Sequence, residues 1–447
     1  MRQMLRKSRK IAVMMFALVM VMQGLIGCSS QSQSNGNAEP KQTAQASGGA
    51  SPSASDKQEP VKLSFLFPQY DEKTQELMKK VVDDFNKDND GKITVSLEIA
   101  PWDKMHDKLI TAMSANQTPD VFGYATRWLA QFTSLKQIED LNSYMTPDFK
   151  QKFIPALLNG AKMPGNDATY GIPVAASARM LFYRKDLFDK ANVQPPKTWD
   201  DLMNAAKKVS NPPNVYGLGL YSKGIEVDTY FDYFLWNNGG DILDANGKAA
   251  LNSPQGVEAL QFMVDMANKE KVTQPNPNGF GRDQIIQMFI SGQLGMYPTG
   301  PWLADEIKRQ NPNLQYGIAY FPSRTGGQPA VLGVTDSLGM SASTTHKAEA
   351  WKFIEYMYQQ KYRLEFDKVE GMLPEQVEVS KDAFFQSEDK KPFIDALQYA
   401  KFYPPVDTFP TIEEIQTVAV QKAMSGEMSP KDALDEAAKK IDALGKK

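Results

Sequence analysis

The sequence has one cysteine and two histidines in 447 residues. With Cys28 alone, no disulfide can form within the chain, and His106 and His346 cannot build a histidine-rich metal centre. No nucleophile elbow, zinc-protease helix motif or phosphate-binding loop occurs, so the common local signatures of hydrolases and nucleotide enzymes are missing. Positive charge is not in surplus either. The formal net charge is −3, and an acidic balance argues against nucleic acid as a partner. The most apolar run, residues 11–26, is 16 residues long, short of the about 20 that a membrane-spanning helix needs.

What is present at the N-terminus explains that run. Arg2, Arg6, Lys7, Arg9 and Lys10 precede it and small residues follow, which is the layout of an export signal. Leu25-Ile26-Gly27-Cys28 resembles a bacterial lipobox, in which the cysteine is lipidated and becomes the mature N-terminus; the alternative is an uncleaved anchor with an incidental cysteine. Removal of residues 1–27 takes five of the 50 basic residues, leaving 45 against 53 acidic ones and a formal charge of −8. Residues 28–60 are rich in Ser, Gln, Asn, Gly, Ala and Pro and cannot bury enough apolar surface to offset chain entropy, so they read as a disordered tether. A folded body then starts near Val61, too long for one ordinary core, and two lobes are expected.

That body opens with a strand at residues 61–67, VKLSFLF, ending at Pro68-Gln69-Tyr70. Leu77, Val81, Val82 and Phe85 mark an amphipathic helix. Residues 93–99 alternate as a second strand, 102–113 form a second helix, and 118–122 a third strand. This β-α-β-α-β order predicts a mainly parallel sheet with helices on both faces. Ligands of such sheets bind beyond the carboxyl ends of the strands, which directs attention to Gln69, Tyr70 and the loop 123–128. Further along, Asp244-Ala245-Asn246-Gly247-Lys248 partly resembles a calcium loop but lacks the distal glutamate, and reads as a turn.

Two longer strings are distinctive. Residues 170–209, YGIPVAASARMLFYRKDLFDKANVQPPKTWDDLMNAAKKV, combine a strand, a short helix stopped by Pro195-Pro196, and a second helix capped by Thr198. Residues 287–302, QMFISGQLGMYPTGPW, form the other. Together with TPDVFGYATRWLAQF at 118–132 and HKAEAWKFI at 346–354, they resemble segments of extracellular solute-binding proteins of carbohydrate ABC transporters, the group that includes maltose-binding protein. The resemblance implies an α/β, two-lobed periplasmic-binding-protein-like fold of type II. Each lobe would be a mostly parallel sheet flanked by helices, and several hinge crossings would join the two. The implied division is 61–173 plus 324–371 for the N-terminal lobe and 174–323 plus 372–447 for the C-terminal lobe.

It also implies site residues, carried over position by position. Trp302 falls where the family presents a tryptophan ring to a sugar; an aromatic plane desolvates the C–H face of a pyranose while hydroxyl edges go to polar groups. Tyr124 falls at an aromatic position. Arg127 stands where maltose-binding protein has an acidic residue, and Ser177 likewise replaces an acidic sugar contact. Arg127, or Arg179 in the same crossing as Ser177, could meet a charged group, which leaves a charged sugar or a non-sugar ligand such as a glycerophosphodiester open. Asp228 and Tyr230 are further candidates from the segment that the strand 216–220 leads into, Gly239-Gly240-Asp241 resembles the family's G-G segment, and Asp336, at the mouth of the returning loop, is a hydroxyl acceptor. Trp236 reads equally as site or core. Trp199 and Trp351 read as core, and His346 as a solvated helix-start residue. The stacking tryptophan that maltose-binding protein carries near its C-terminus has no counterpart here; Phe402, Tyr403 and Phe409 are the candidate substitutes.

The function implied is a lipid-anchored binding protein that captures a sugar or oligosaccharide by hinge closure, without cofactor, and delivers it to ABC permeases from the outer face of the cytoplasmic membrane. A secreted polysaccharide-active enzyme and a ligand-presenting sensor are the alternatives. Truncation of Trp302 to alanine is expected to abolish ligand-induced stabilisation and to change the unliganded protein little.

Overall fold

The computed structural model describes residues 60–163 and 167–445. The signal, Cys28 and the tether lie outside the described residues.

Apolar alternation builds the first sheet. Leu63, Phe65 and Phe67 of β1 (Val61–Gln69) turn inward, and the strand pairs in parallel along its whole length with β2 (Ile93–Pro101). On its other side β1 pairs in parallel with β3 (Val121–Ala125), which is buried throughout. Helix Thr74–Asp88 covers one face with Leu77, Met78, Val81, Val82 and Phe85, and helix Trp102–Ser114 covers the other with Met105, Leu109 and Met113. The β-α-β-α-β reading of this region therefore holds. Strand β4 (Ile172–Ala178) also belongs to this sheet.

One residue later the chain is in a second sheet. Strand β5 (Met180–Arg184) follows β4 with only Arg179 between them. With β6 (Tyr216–Leu218), β7 (Leu294–Thr299) and β8 (Tyr316–Ala319) it forms a four-stranded sheet in the order β6-β7-β5-β8. Here β6 and β7 are parallel, but β5 is antiparallel to both β7 and β8. This sheet thus has more antiparallel pairing than a mostly parallel reading expects, because β5 and β8 are the strands by which the chain enters and leaves it. The chain returns through β9 (Val331–Met340), which lies antiparallel between β3 and β4, and β10 (Ala400–Lys401) extends the first sheet to the order β10-β9-β3-β1-β2.

The sequence-level stops and caps appear where expected. Thr198 and Asp201 form a reciprocal capping box at helix Trp199–Val209, an arrangement worth about 1 kcal/mol. Trp199 is buried and stacks on Phe262. Trp351 packs on Tyr144 and Phe149, and His346 precedes helix Lys347–Met357. Asp244 closes a turn across the Leu243–Ala249 bridge, with Gly247 at positive φ. Separate apolar cores surround the two sheets, and Trp302 packs against both.

Candidate functional site

Charged and aromatic side chains from both sheets meet where β3, β4 and β9 face the starts of three helices: Val227–Asn237, Trp302–Gln310 and Phe409–Met424. From the first sheet come Arg127, in the turn after β3, Ser177 and Arg179 at the end of β4, and Asp336 on β9. From the second come Glu226 and Asp228, Trp302, and Glu413, each at or near a helix start.

Two arginine clusters organise the site. Arg127 Nη1 lies 2.9 Å from Glu413 Oε1 and 3.9 Å from Asp228 Oδ2, and its guanidinium sits 5.3 Å from the centre of the Tyr403 ring. Arg179 donates to Ser177 Oγ at 2.7 Å and to Glu226 Oε1 at 2.6 Å, and lies 4.5 Å over the Trp302 ring. Glu226 also receives Arg282 at 3.5 Å. Burial alone would raise Glu226, but Arg179 and Arg282 hold it at about 2. The opposite balance applies around Arg127. Burial pushes Glu413 up to about 8 and raises Asp228, because one guanidinium is shared by two carboxylates. Burial also lifts Asp336 to about 7, moderated by the hydrogen bond that Tyr70 donates to it at 3.0 Å. A further ion pair, Arg309 to Asp71 at 3.3 Å, joins helix Trp302–Gln310 to the loop after β1.

Of the sequence-predicted residues, the structure brings together Tyr70, Arg127, Ser177, Arg179, Asp228, Trp302 and Asp336. Gln69 ends β1 exposed, opposite Pro101. Asp241 pairs with Lys401 at 2.7 Å, and Lys401 lies over the buried Trp236 ring, so these three form a separate group. Tyr124 is wholly buried between Phe122 and Phe132, and Tyr230 lies within a layer of Tyr221, Tyr233 and Tyr297. The role these two play in the structure is packing: β3 and helix Val227–Asn237 turn their rings into the cores. Trp128 likewise turns inward against Trp102 and Phe132. Glu226, Arg282 and Glu413 were not singled out by sequence. Each is a lone charged residue with no motif around it, and its partner is remote in the chain.

Several buried polar atoms at and beside this site have no hydrogen-bond partner: Arg127 Nε, Asp228 Oδ2, Trp236 Nε1, Asp232 Oδ2 and Gln416 Oε1. Among the described residues, no group of three or more His, Cys, Asp and Glu is arranged to hold a metal, and no helix is long and apolar enough to cross a membrane. A concavity of about 650 Å³ lies elsewhere, beside Trp199, Glu258, Phe262 and Arg324. Beside it Arg324 pairs with Glu258 and Gln261 with Asp265, both at 2.8 Å, while Trp199 Nε1 is buried without a hydrogen-bond partner.

Gly300 explains how the Trp302 ring is seated. A Cβ on Gly300 would lie 1.9 Å from Trp302 Cζ3 and 2.3 Å from Cη2, so only glycine leaves room for the ring. Gly300→Ala is expected to displace the ring and weaken ligand binding by about tenfold or more, with far-ultraviolet circular dichroism unchanged. Titration calorimetry checks this, and unchanged affinity would show that the ring's seat is irrelevant to binding.

Comparison with known proteins agrees with the geometry. Residues 70–363 match the family of bacterial extracellular solute-binding proteins. A protein of Brucella abortus (strain 2308), described only as a binding protein, is 37% identical over 382 residues, covering 85% of this chain and 92% of its own length. An ABC transporter solute-binding protein from Thermotoga lettingae, solved with alpha-D-tagatose, superimposes with a TM-score of 0.78 at 27% identity, covering 86% of this chain and 99% of its own. The maltose-bound T. maritima MalE3 superimposes at 0.77 with 26% identity over 86% of this chain and all of its own.

Proposed function

The chain belongs to the bacterial extracellular solute-binding proteins, and from that premise we propose that it captures a neutral sugar or oligosaccharide between its two lobes and passes it to the permeases of an ABC importer. The family is one of binding proteins, not enzymes. Two structurally similar members were solved with the sugars tagatose and maltose, which supports a carbohydrate for this chain.

One observation carries the reading: an aromatic ring and a set of paired charges from both sheets converge on a single place. Trp302 touches both cores and stands beside Arg179, Ser177 and Glu226. A ligand seated there contacts both lobes at once, which is the condition for ligand to favour a closed arrangement. Neutrality follows from the pairing. Arg127 and Arg179 already engage Glu413 and Glu226, so an anionic ligand would have to displace an acidic side chain from each. The unpartnered Arg127 Nε donor and Asp228 Oδ2 acceptor instead suit hydroxyls, which donate and accept. Tyr403 lies against Arg127, where it stands in for the missing C-terminal tryptophan.

On the same reading, residues 1–27 direct export, Cys28 carries the lipid that holds the monomer at the outer face of the membrane, and residues 28–60 give it reach. The lobes comprise 61–173 plus 324–371 and 174–323 plus 372–447, hinged around Arg179 and the segments that follow β8 and Gly371.

A thermal-shift panel of neutral monosaccharides and oligosaccharides, with a uronic acid and a glycerophosphodiester as charged controls, tests the proposal. Ligand at a hundredfold excess over its dissociation constant should stabilise the fold by about 2.7 kcal/mol. A shift given only by the charged controls, or by no member of the panel, would sink the neutral-sugar reading.

A further inference from the structure

Helix Val227–Asn237 packs against helix Phe409–Met424, and Asp232 and Gln416 meet between them with no solvent exposure. Gln416 Nε2 donates to Asp232 Oδ1 at 3.0 Å. The second oxygen of each group, Asp232 Oδ2 and Gln416 Oε1, is buried without a partner. Orphaned buried acceptors are costly, and two of them on a pair of planar groups already joined by one hydrogen bond need a single explanation. A carboxylate only accepts, whereas a carboxylic acid also donates. One proton on Oδ2 would let the acid donate to the amide oxygen while the amide donates to the acid carbonyl, so neither oxygen is left over.

The surroundings favour that proton. Facing Asp232 are Asp228 one turn earlier on its own helix, Asp241 just beyond that helix, and Glu413 with Gln416 on the opposite helix. The nearby cations are committed: Arg127 to Glu413 at 2.9 Å and Lys401 to Asp241 at 2.7 Å. Tyr403, from the segment before the second helix, bonds to Thr229 instead. Burial, then the charge of Asp228, holds the Asp232 carboxyl well above the usual carboxylate range.

We propose that Asp232 is a neutral carboxylic acid around neutral pH, closed in a cyclic acid–amide pair with Gln416, and that this pair sets the two helices so that Asp228 and Glu413 converge on Arg127 without the negative charge that an ionised Asp232 would add. Asp232 is on this account a positioning residue.

The test is equilibrium unfolding of the mature chain between about pH 5 and pH 8, for wild type and Asp232→Asn. Asparagine is the neutral mimic of the acid and can keep both hydrogen bonds to Gln416. A raised folded-state pKa makes unfolding release a proton above the unfolded value of about 3.9. Stability contributed by the group is therefore full below that value and declines as pH rises towards the folded pKa. The unfolding constant of wild type should rise about tenfold more per pH unit than that of Asp232→Asn. Parallel curves would mean that Asp232 is ionised in the fold, and would overturn the proposal. Infrared spectroscopy of Gln416→Leu gives a readout that does not need the first variant to fold. The protonated-carboxyl band of wild type should move to higher frequency when its acceptor is removed; an unmoved band would overturn the pairing.

Discussion

Glu226→Gln is expected to lower the unfolding free energy by about 3 kcal/mol or more and to abolish ligand capture. Among the described residues Glu226 is the only acidic side chain that forms an ion pair with Arg179, whose side chain is almost fully buried, and it also holds Arg282. Glutamine keeps the shape and one acceptor oxygen but removes the charge, so two guanidiniums would face one another around a neutral amide. Urea unfolding at neutral pH measures the loss, and calorimetry with a ligand from the panel measures capture. The pH dependence gives a second check. Glu226 is held at about 2 in the fold, below its unfolded value of about 4.3. A depressed pKa contributes stability that is present above the unfolded value and lost as pH falls through the folded one. The gap between wild type and variant should therefore narrow on acidification from about pH 5 to about pH 2. A gap that persists unchanged would show that glutamine fails for shape and not for charge.

Trp302→Ala should remove the thermal shift given by every ligand that wild type binds. The same substitution was expected, on sequence alone, to leave the unliganded protein nearly unchanged, and the structure alters that expectation. The ring packs against the cores of both sheets and carries Arg179 on one face. Losing a half-buried ring and a partly desolvated cation–π contact should cost about 1–3 kcal/mol. In a chain of this length that lowers the melting temperature by only a few degrees. Scanning calorimetry with and without ligand separates the two effects. A variant that melts slightly lower but still responds to ligand would remove Trp302 from the site.

These two residues show what kind of information a sequence carries. Trp302 was legible because it closes a long, specific string, QMFISGQLGMYPTGPW, in which glycine, proline and aromatic positions are all constrained. Glu226 was not legible. It sits in an ordinary polar segment, and its significance comes from Arg179, 47 residues away, and Arg282, 56 residues away. Glu413 is further still from Arg127. Tyr124 and Tyr230 illustrate the converse: their positions were readable, but whether each ring faces ligand or core depended on how β3 and helix Val227–Asn237 are turned.

By itself, then, the sequence determined the class of fold, the β-α-β-α-β run that opens the first sheet, the Thr198 cap and the family. Those depend on periodicity, turn chemistry and local strings, all of which act between near neighbours in the chain. The tertiary structure alone decided which charges are paired, which aromatic rings are buried, and which polar atoms are left without partners. Burial and ion pairing are properties of residues distant in sequence and adjacent in space: one glutamate, Glu226, is held at about 2 beside two arginines, while burial lifts another, Glu413, to about 8 where one arginine is shared.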